Sequence, residues 1–267
     1  MAYEARIEAD SISPLGVRLT TFVVTYPRFI HSEMMTHRVF SRNSSSSRAI
    51  PHHKLLEQVE KDPVIPVYWG KNQSGMQAKE ELSHEEQQLA ISAWIHGRDA
   101  AISESKRLNR LGVHKQIINR LLEPWMWITV IISATEWDNF FRLRCHVDAQ
   151  PEIQKIAGMM RDLYMGIVPK LLHPGQWHLT FVPNYEICDI ATARDLSAAR
   201  CARVSYLTHD GQHDPEKDLK LAKRLHESGH MSPFEHQATP VNDARAIPAG
   251  NFDGWHQYRH RLGTPDA

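Results

Sequence analysis

Trp125 to Ala134 reads W-M-W-I-T-V-I-I-S-A and is the most strand-like run in the chain. Its apolar character is continuous rather than alternating, which implies a strand buried on both faces. Tyr3 to Ile12 alternates weakly, and Val17 to Tyr26 is rich in Val, Thr and Phe. These two stretches read as strands joined by a turn at Pro14-Leu15-Gly16. Helical signals fill most of the remainder. Pro27 can open a helix at its first position, and Phe29, Ile30, Met34 and Val39 follow at roughly helical spacing. Pro51 starts a short helix through Val59. Ser83-His84-Glu85-Glu86 fits a capping box and opens a long helix that ends at Gly112. Further helices are expected over Ile117 to Leu122, Glu136 to Arg144, Pro151 to Leu172, Asp189 to Arg203 and Asp214 to Ser228. The last has Asp214 as N-cap, Pro215 at its first position and Gly229 past its end. The tail from Asn242 to Ala267 is turn-rich. No linker separates two halves, so residues 1–267 read as one α+β domain.

The densest polar chemistry lies in Thr36 to Pro51, T-H-R-V-F-S-R-N-S-S-S-S-R-A-I-P. Arg38, Arg42 and Arg48 bring three guanidinium forks, which can grip a phosphate in two-pronged fashion. Ser41, Asn43 and Ser44 to Ser47 add hydroxyl and amide donors that tolerate tight turns. A solvated Ser-rich linker is the competing reading. Two features favour an anion-wrapping loop. Arg and Asn interrupt the serines at fixed places, and helical patterns anchor both ends.

Composition limits the partners. Hydrophobic residues make up 42% and charged residues 23%, as in ordinary soluble globular proteins. Lys+Arg 31 balances Asp+Glu 31, which argues against a general grip on long nucleic acids. No apolar run reaches the length of a membrane span, and the start M-A-Y-E-A-R lacks a secretory core. Cys145, Cys188 and Cys201 form no C-x-x-C pair, which suits a reducing cytoplasm. None lies in a catalytic motif, and each reads as a small buried hydrophobe. His226-Glu227-Ser228-Gly229-His230 matches H-E-x-x-H, the spacing of a helical zinc site. Gly229 stands where that helix should stop, so His230 falls off the face of His226. No metal site is expected.

Thr36 to Arg48 resembles the signature of the flavin-dependent thymidylate synthases, R-H-R-x-x-S-x-N-x-x-S-x-R. His37, Arg38, Ser41, Asn43, Ser46 and Arg48 stand in register, while Thr36 replaces the leading Arg and Ser44 the usual Glu. Asn119 to Pro124 is similar to the family's A-R-x-x-L-P segment. Ser133-Ala134-Thr135 to Asn139, Leu143-Arg144 and Ala149 to Ile153 resemble its N-A-R…N…L-R…A-Q-x-E-I block. Ser197 to Ser205 and Ser228 to His236 resemble its A-A-R-V-S and H-G-H-x-T/S-P-F-E-H segments. In ordinary members these last two come first. Here residues 195–240 follow the loop, which looks like a circular permutation. Gly254 to Arg261 resembles a second partial copy of the segment before the loop and restores an R-H-R, so Arg259 is expected to stand in for the Arg missing at Thr36. Lys61 to Arg110 stays outside the resemblance.

The resemblance implies an α+β fold with a mostly antiparallel sheet and long helices packed on it. It implies methylation of dUMP at C5, with methylenetetrahydrofolate as carbon donor, FAD carrying hydride and NADPH as reductant. The nucleotide would be met by Ser44, Ser46, Ser47, Arg48, Arg120, Gln257 and Arg259, and its base by Arg144, the candidate catalytic residue. FAD would be met by His37, Arg38, Val39, Ser133, Thr135, Asn139, Ser205, His230, Ser232 and Glu235. There is no G-x-G-x-x-G for a Rossmann unit. Ser133 and Thr135 depart from the family's Asn and Arg. The assembly expected is a homotetramer with shared sites. Two alternatives remain open: a dCMP methyl- or hydroxymethyltransferase, and a non-catalytic nucleotide-binding protein.

Overall fold

A computed structural model describes residues 2–183, 189–206, 214–243 and 250–262. The expected first hairpin forms: β1 (Glu4–Ile12) pairs antiparallel with β2 (Arg18–Pro27). Gly16 turns the chain with φ +79, a conformation glycine adopts without a Cβ penalty. A 3-10 turn (Arg28–Ile30) and the short α1 (His31–Met35) follow, so the helix expected through Val39 stops four residues early. Arg42 accounts for the stop. Its Nη1 donates to the carbonyls of Met34, Met35 and His37 at 3.4, 3.1 and 3.0 Å, drawing the chain back on itself.

Part of the expected loop is a strand, β3 (Ser41–Ser44), which pairs antiparallel with β4 (Trp127–Ala134). α2 (His52–Lys61) and the 27-residue α3 (His84–Arg110) form as the sequence predicts, α3 with a complete capping box at Ser83 and Glu86. Between α3 and β4 lie α4 (Lys115–Ile118) and a 3-10 segment (Asn119–Trp125) that tolerates Pro124 inside it. α5 (Asp138–Arg144) and α6 (Pro151–Gly166) follow. α6 ends short of Leu172, because Lys170 and Leu171 instead form β5 beside β1. α7 (Ile190–Arg203) and α8 (Pro215–Glu227) match expectation, and Gly229 ends α8 with φ +71. The turn-rich tail contributes β7 (Trp255–Gln257), paired with β6 (Ala238–Pro240). Cys188 lies outside the described residues.

The main sheet has order β3-β4-β2-β1-β5, antiparallel except for the β1–β5 edge. β4 sits inside it and is covered on both faces, as its unbroken apolar run requires. Phe22, Val24, Tyr26, Ile128, Val130 and Ile132 pack on Phe140 of α5 and on Ile153, Ile156 and Met160 of α6. On the opposite face Val23 and Ile131 meet Phe181, Cys201 and Val204. Residues 61–110, silent in the motifs, brace the far end of the loop: Ile102 of α3 joins Ile50, Leu55, Val59, Leu122 and Met126 in a separate cluster. No helix among the described residues is long and apolar enough to cross a membrane.

Candidate active site

The loop is a two-sided ribbon built almost wholly from polar residues. Ser41, Asn43, Ser45 and Ser47 are buried, while Arg42, Ser44, Ser46 and Arg48 alternate with them toward the outside. Period two is strand geometry. Each inward group meets a segment distant in sequence. Ser41 Oγ accepts from Nε2 of Gln257 at 2.9 Å. The amide nitrogen of Asn43 faces Nε2 of His236 and the carbonyls of Ser232 and Arg42 at 3.1, 3.1 and 3.0 Å. Ser45 Oγ accepts from the backbone N–H of Thr129 at 3.1 Å, and Ser47 Oγ donates to Oε1 of Glu123 at 2.7 Å. On the outer file, the N–H of Ser46 donates to the carbonyl of Ser205 at 3.0 Å. Asn119, fully buried, donates from Nδ2 to the carbonyls of Ser47 and Ile50 and pins the end of the loop.

Beneath the ribbon runs a buried file of side chains. His236 and Ser133 lie 2.8 Å apart, Ser133 and Thr21 2.6 Å, Thr21 and His178 2.8 Å, and His178 and Ser11 2.9 Å. With Asn43 donating to Nε2 of His236, one consistent direction results: each Nδ1–H and hydroxyl donates to the next oxygen or nitrogen, ending on Ser11 Oγ. That direction requires both imidazoles to be neutral. Burial pushes both down to about 3, with the neighbouring His236 adding to the effect on His178. Sequence reasoning missed His178 and Thr21, which sit in no motif.

Arg144 reaches the opposite end of the loop. Its Nε donates to Nε2 of His37 at 2.9 Å, and its Nη2 reaches Oγ1 of Thr36 at 3.0 Å and the carbonyl of Glu33 at 3.4 Å. His37, stacked on Phe40 and edge-on to Phe140, must accept and so stays neutral. Burial first, then the positive charges of Arg144 and Arg42, push it down to about 4.

The remaining predicted residues divide in two. Arg38, Val39, Arg48, Arg120, Asn139, His230, Ser232 and Arg259 are exposed, and Ser44, Ser46, Thr135, Ser205 and Glu235 half-buried. Arg259 donates to Glu235, which also lies within Coulomb range of Arg42, so the R-H-R of the tail and the P-F-E-H segment meet beside the loop. The hydroxyl at Thr36 is held by Arg144, while Arg259 pairs with Glu235. Ser133 and Gln257 face inward. The Ser133 hydroxyl lies between Thr21 and His236, and the Gln257 amide donates to Ser41 Oγ and the Glu235 carbonyl and accepts from the N–H of Asn251. Thr135 Oγ1 accepts from the N–H of Asp253, and Asn139 Oδ1 from Arg142. His230 Nδ1 lies 2.8 Å from Ser228 Oγ, beyond the end of α8 that carries His226.

An α+β sheet with a polar, arginine-bearing ribbon on its edge strand offers donors of the kind that grip an anionic group. A family model described as thymidylate synthase complementing protein matches residues 5–170, more than half the chain, and the chain belongs to that family. Two similar relatives are named flavin-dependent thymidylate synthase, from Tropheryma whipplei strains TW08/27 and Twist. Each is 27% identical over 172 residues, covering 59% of this chain and 68% or 67% of the relative. Among solved structures, a UMP/dUMP methylase PolB from Streptomyces cacaoi bound with 5-Br UMP superposes with TM-score 0.51 at 17% identity, covering 62% of this chain and 89% of that one. The same methylase bound with 5-Br dUMP gives 0.50 at 16%, covering 62% and 90%. These structures share the fold.

Proposed function

We propose that residues 1–267 form one catalytic domain that methylates dUMP at C5 to give dTMP. Methylenetetrahydrofolate is the carbon donor, FAD the cofactor and NADPH the reductant. One observation carries this reading: five segments far apart in sequence converge on the loop, through Arg144 on His37, Gln257 on Ser41, His236 on Asn43, Ser205 on Ser46 and Glu123 on Ser47. Ser205, His236 and Gln257 therefore reach the loop although they follow it in sequence, which supports a circularly permuted order. The family model stops at residue 170, before them.

In this reading Ser44, Ser46, Arg48 and Arg120 face the phosphate. Each charge-assisted hydrogen bond there is worth about 1.5–3 kcal/mol. Arg144 meets the pyrimidine and favours its N3-deprotonated, electron-rich form, so no nucleophilic cysteine is needed. Cys201 fits that economy: it is fully buried, and burial holds its thiol well above the ordinary range. The exposed donors Arg38, His230 and Ser232, with half-buried Ser205, suit a flavin diphosphate by charge and hydrogen-bonding type, while the Glu235 carboxylate, an acceptor, suits a hydroxyl or N–H of the same cofactor. Bound reduced flavin would supply the hydride. His37, Val39, Thr135 and Asn139 border that ligand, and Ser133 and Gln257 support the ribbon from inside. We assign the chain to a homotetramer with shared sites and to the cytoplasm, consistent with its cysteine usage.

Arg144→Ala should abolish methyl transfer, by roughly a hundredfold or more, while leaving flavin absorbance intact. An undiminished single-turnover rate with dUMP, folate and reduced flavin would remove the assignment. dCMP is the second reading. It is favoured by Thr36, whose hydroxyl holds the base-side Arg144 where the family carries another arginine. Parallel turnover of dUMP and dCMP decides, since recognition at N3 and C4 separates the two bases. Colourless protein with no product from either nucleotide would leave a binding protein.

A further inference from the structure

Glu123 stands where the A-R-x-x-L-P pattern has Leu, and it is the partner of three donors at once. A single oxygen, Oε1, receives Nη1 of Arg120 at 2.9 Å, Nη2 of Arg28 at 3.0 Å and Oγ of Ser47 at 2.7 Å. The three differ in access to solvent. The Arg120 side chain is 51% exposed, that of Arg28 16%, and Ser47 2%. Arg120 is therefore the donor free to leave, and Arg28 and Ser47 remain to satisfy the carboxylate when it does.

We propose that Glu123 is a resident anion in the phosphate subsite, holding Arg120 until the phosphate of a nucleoside monophosphate takes it over. This rests on the reading of Arg120 as a phosphate ligand. A carboxylate carries one negative charge, and a phosphate monoester carries close to two with three acceptor oxygens. The ester outcompetes the carboxylate for a guanidinium fork. An uncharged nucleoside offers no such exchange. Glu123 thus acts as a built-in competitor: it lowers affinity for every ligand whose phosphate must displace it, leaves an uncharged nucleoside unaffected, and so narrows the affinity gap between a monophosphate and its nucleoside.

The test is calorimetric titration of the full-length protein with dUMP, deoxyuridine and inorganic phosphate. Glu123→Gln keeps an acceptor for Ser47 and Arg28 and removes the charge. It should bind dUMP and phosphate roughly tenfold more tightly and leave deoxyuridine unchanged. In an Arg120→Ala background the same substitution should have no effect. Equal or weaker phosphate binding by Glu123→Gln, or a gain that persists without Arg120, overturns the proposal. If Glu123→Gln does not fold, Glu123→Asp, which withdraws the oxygen by one methylene, should give a smaller gain of the same sign; no gain overturns the proposal. Loss of dUMP affinity on Arg120→Ala with no gain from Glu123→Gln rejects this inference alone. Unchanged dUMP affinity on Arg120→Ala rejects the phosphate reading beneath it.

Discussion

The two files of the loop differ in what their polar groups are for. Ser41, Asn43, Ser45 and Ser47 face inward, and each is answered by another part of the chain. Ser44, Ser46 and Arg48 face outward, and Arg38 and Arg120 are likewise exposed. Similar residue types thus serve two ends. Inside, a hydroxyl or amide fixes position, because leaving it unpaired away from water is costly. Outside, the same chemistry stays available to a ligand.

Acid should act on the inner region most. His178 and His236, at about 3, and His37, at about 4, are neutral in the fold, whereas an unfolded histidine titrates near its usual value. Depressed folded values mean that stability is complete above about pH 6.5 and falls as pH drops toward 3 to 4. Each group contributes a slope of about 1.4 kcal/mol per pH unit within that window. Denaturant melts from pH 7 to 4 would show it, and a flat profile would mean that these rings are not held neutral.

The Arg200–Asp218–Arg203 cluster sharpens the contrast next. Asp218 is fully buried and accepts from Nε of Arg200 at 3.1 Å and of Arg203 at 2.6 Å. Asp218→Ala leaves a buried guanidinium without this carboxylate and should cost about 3–5 kcal/mol in equilibrium unfolding. His236→Ala should cost about 1–3 kcal/mol, because it removes one hydrogen-bond partner from each of buried Asn43 and Ser133. The outer file should respond in the opposite way. Arg48→Ala should change stability by less than about 0.5 kcal/mol while weakening dUMP binding about tenfold or more, and a stability loss equal to that of His236→Ala would erase the distinction.

Much of the frame was legible beforehand. The continuous apolar run at Trp127–Ala134, the Gly16 turn, the Ser83 capping box and the Gly229 stop are local signals, and the structure honours each. The strand character of Ser41–Ser44 was hidden because hydrophobic alternation cannot reveal a ribbon whose two faces are both polar. The early end of α1 depends on Arg42 finding three carbonyls several residues back.

By its sequence alone the chain determined which residues could bind an anion and which stretches could be strands or helices, since residue type and spacing act over a few positions. Only tertiary structure decided that Ser133 and Gln257 face inward, that His178 joins the buried file, and that Glu123 meets Arg28 and Ser47. Those outcomes depend on partners up to two hundred or so positions away, such as Ser41 with Gln257. Pairings over such separations form only when packing brings distant segments together and removes the water that would otherwise satisfy them.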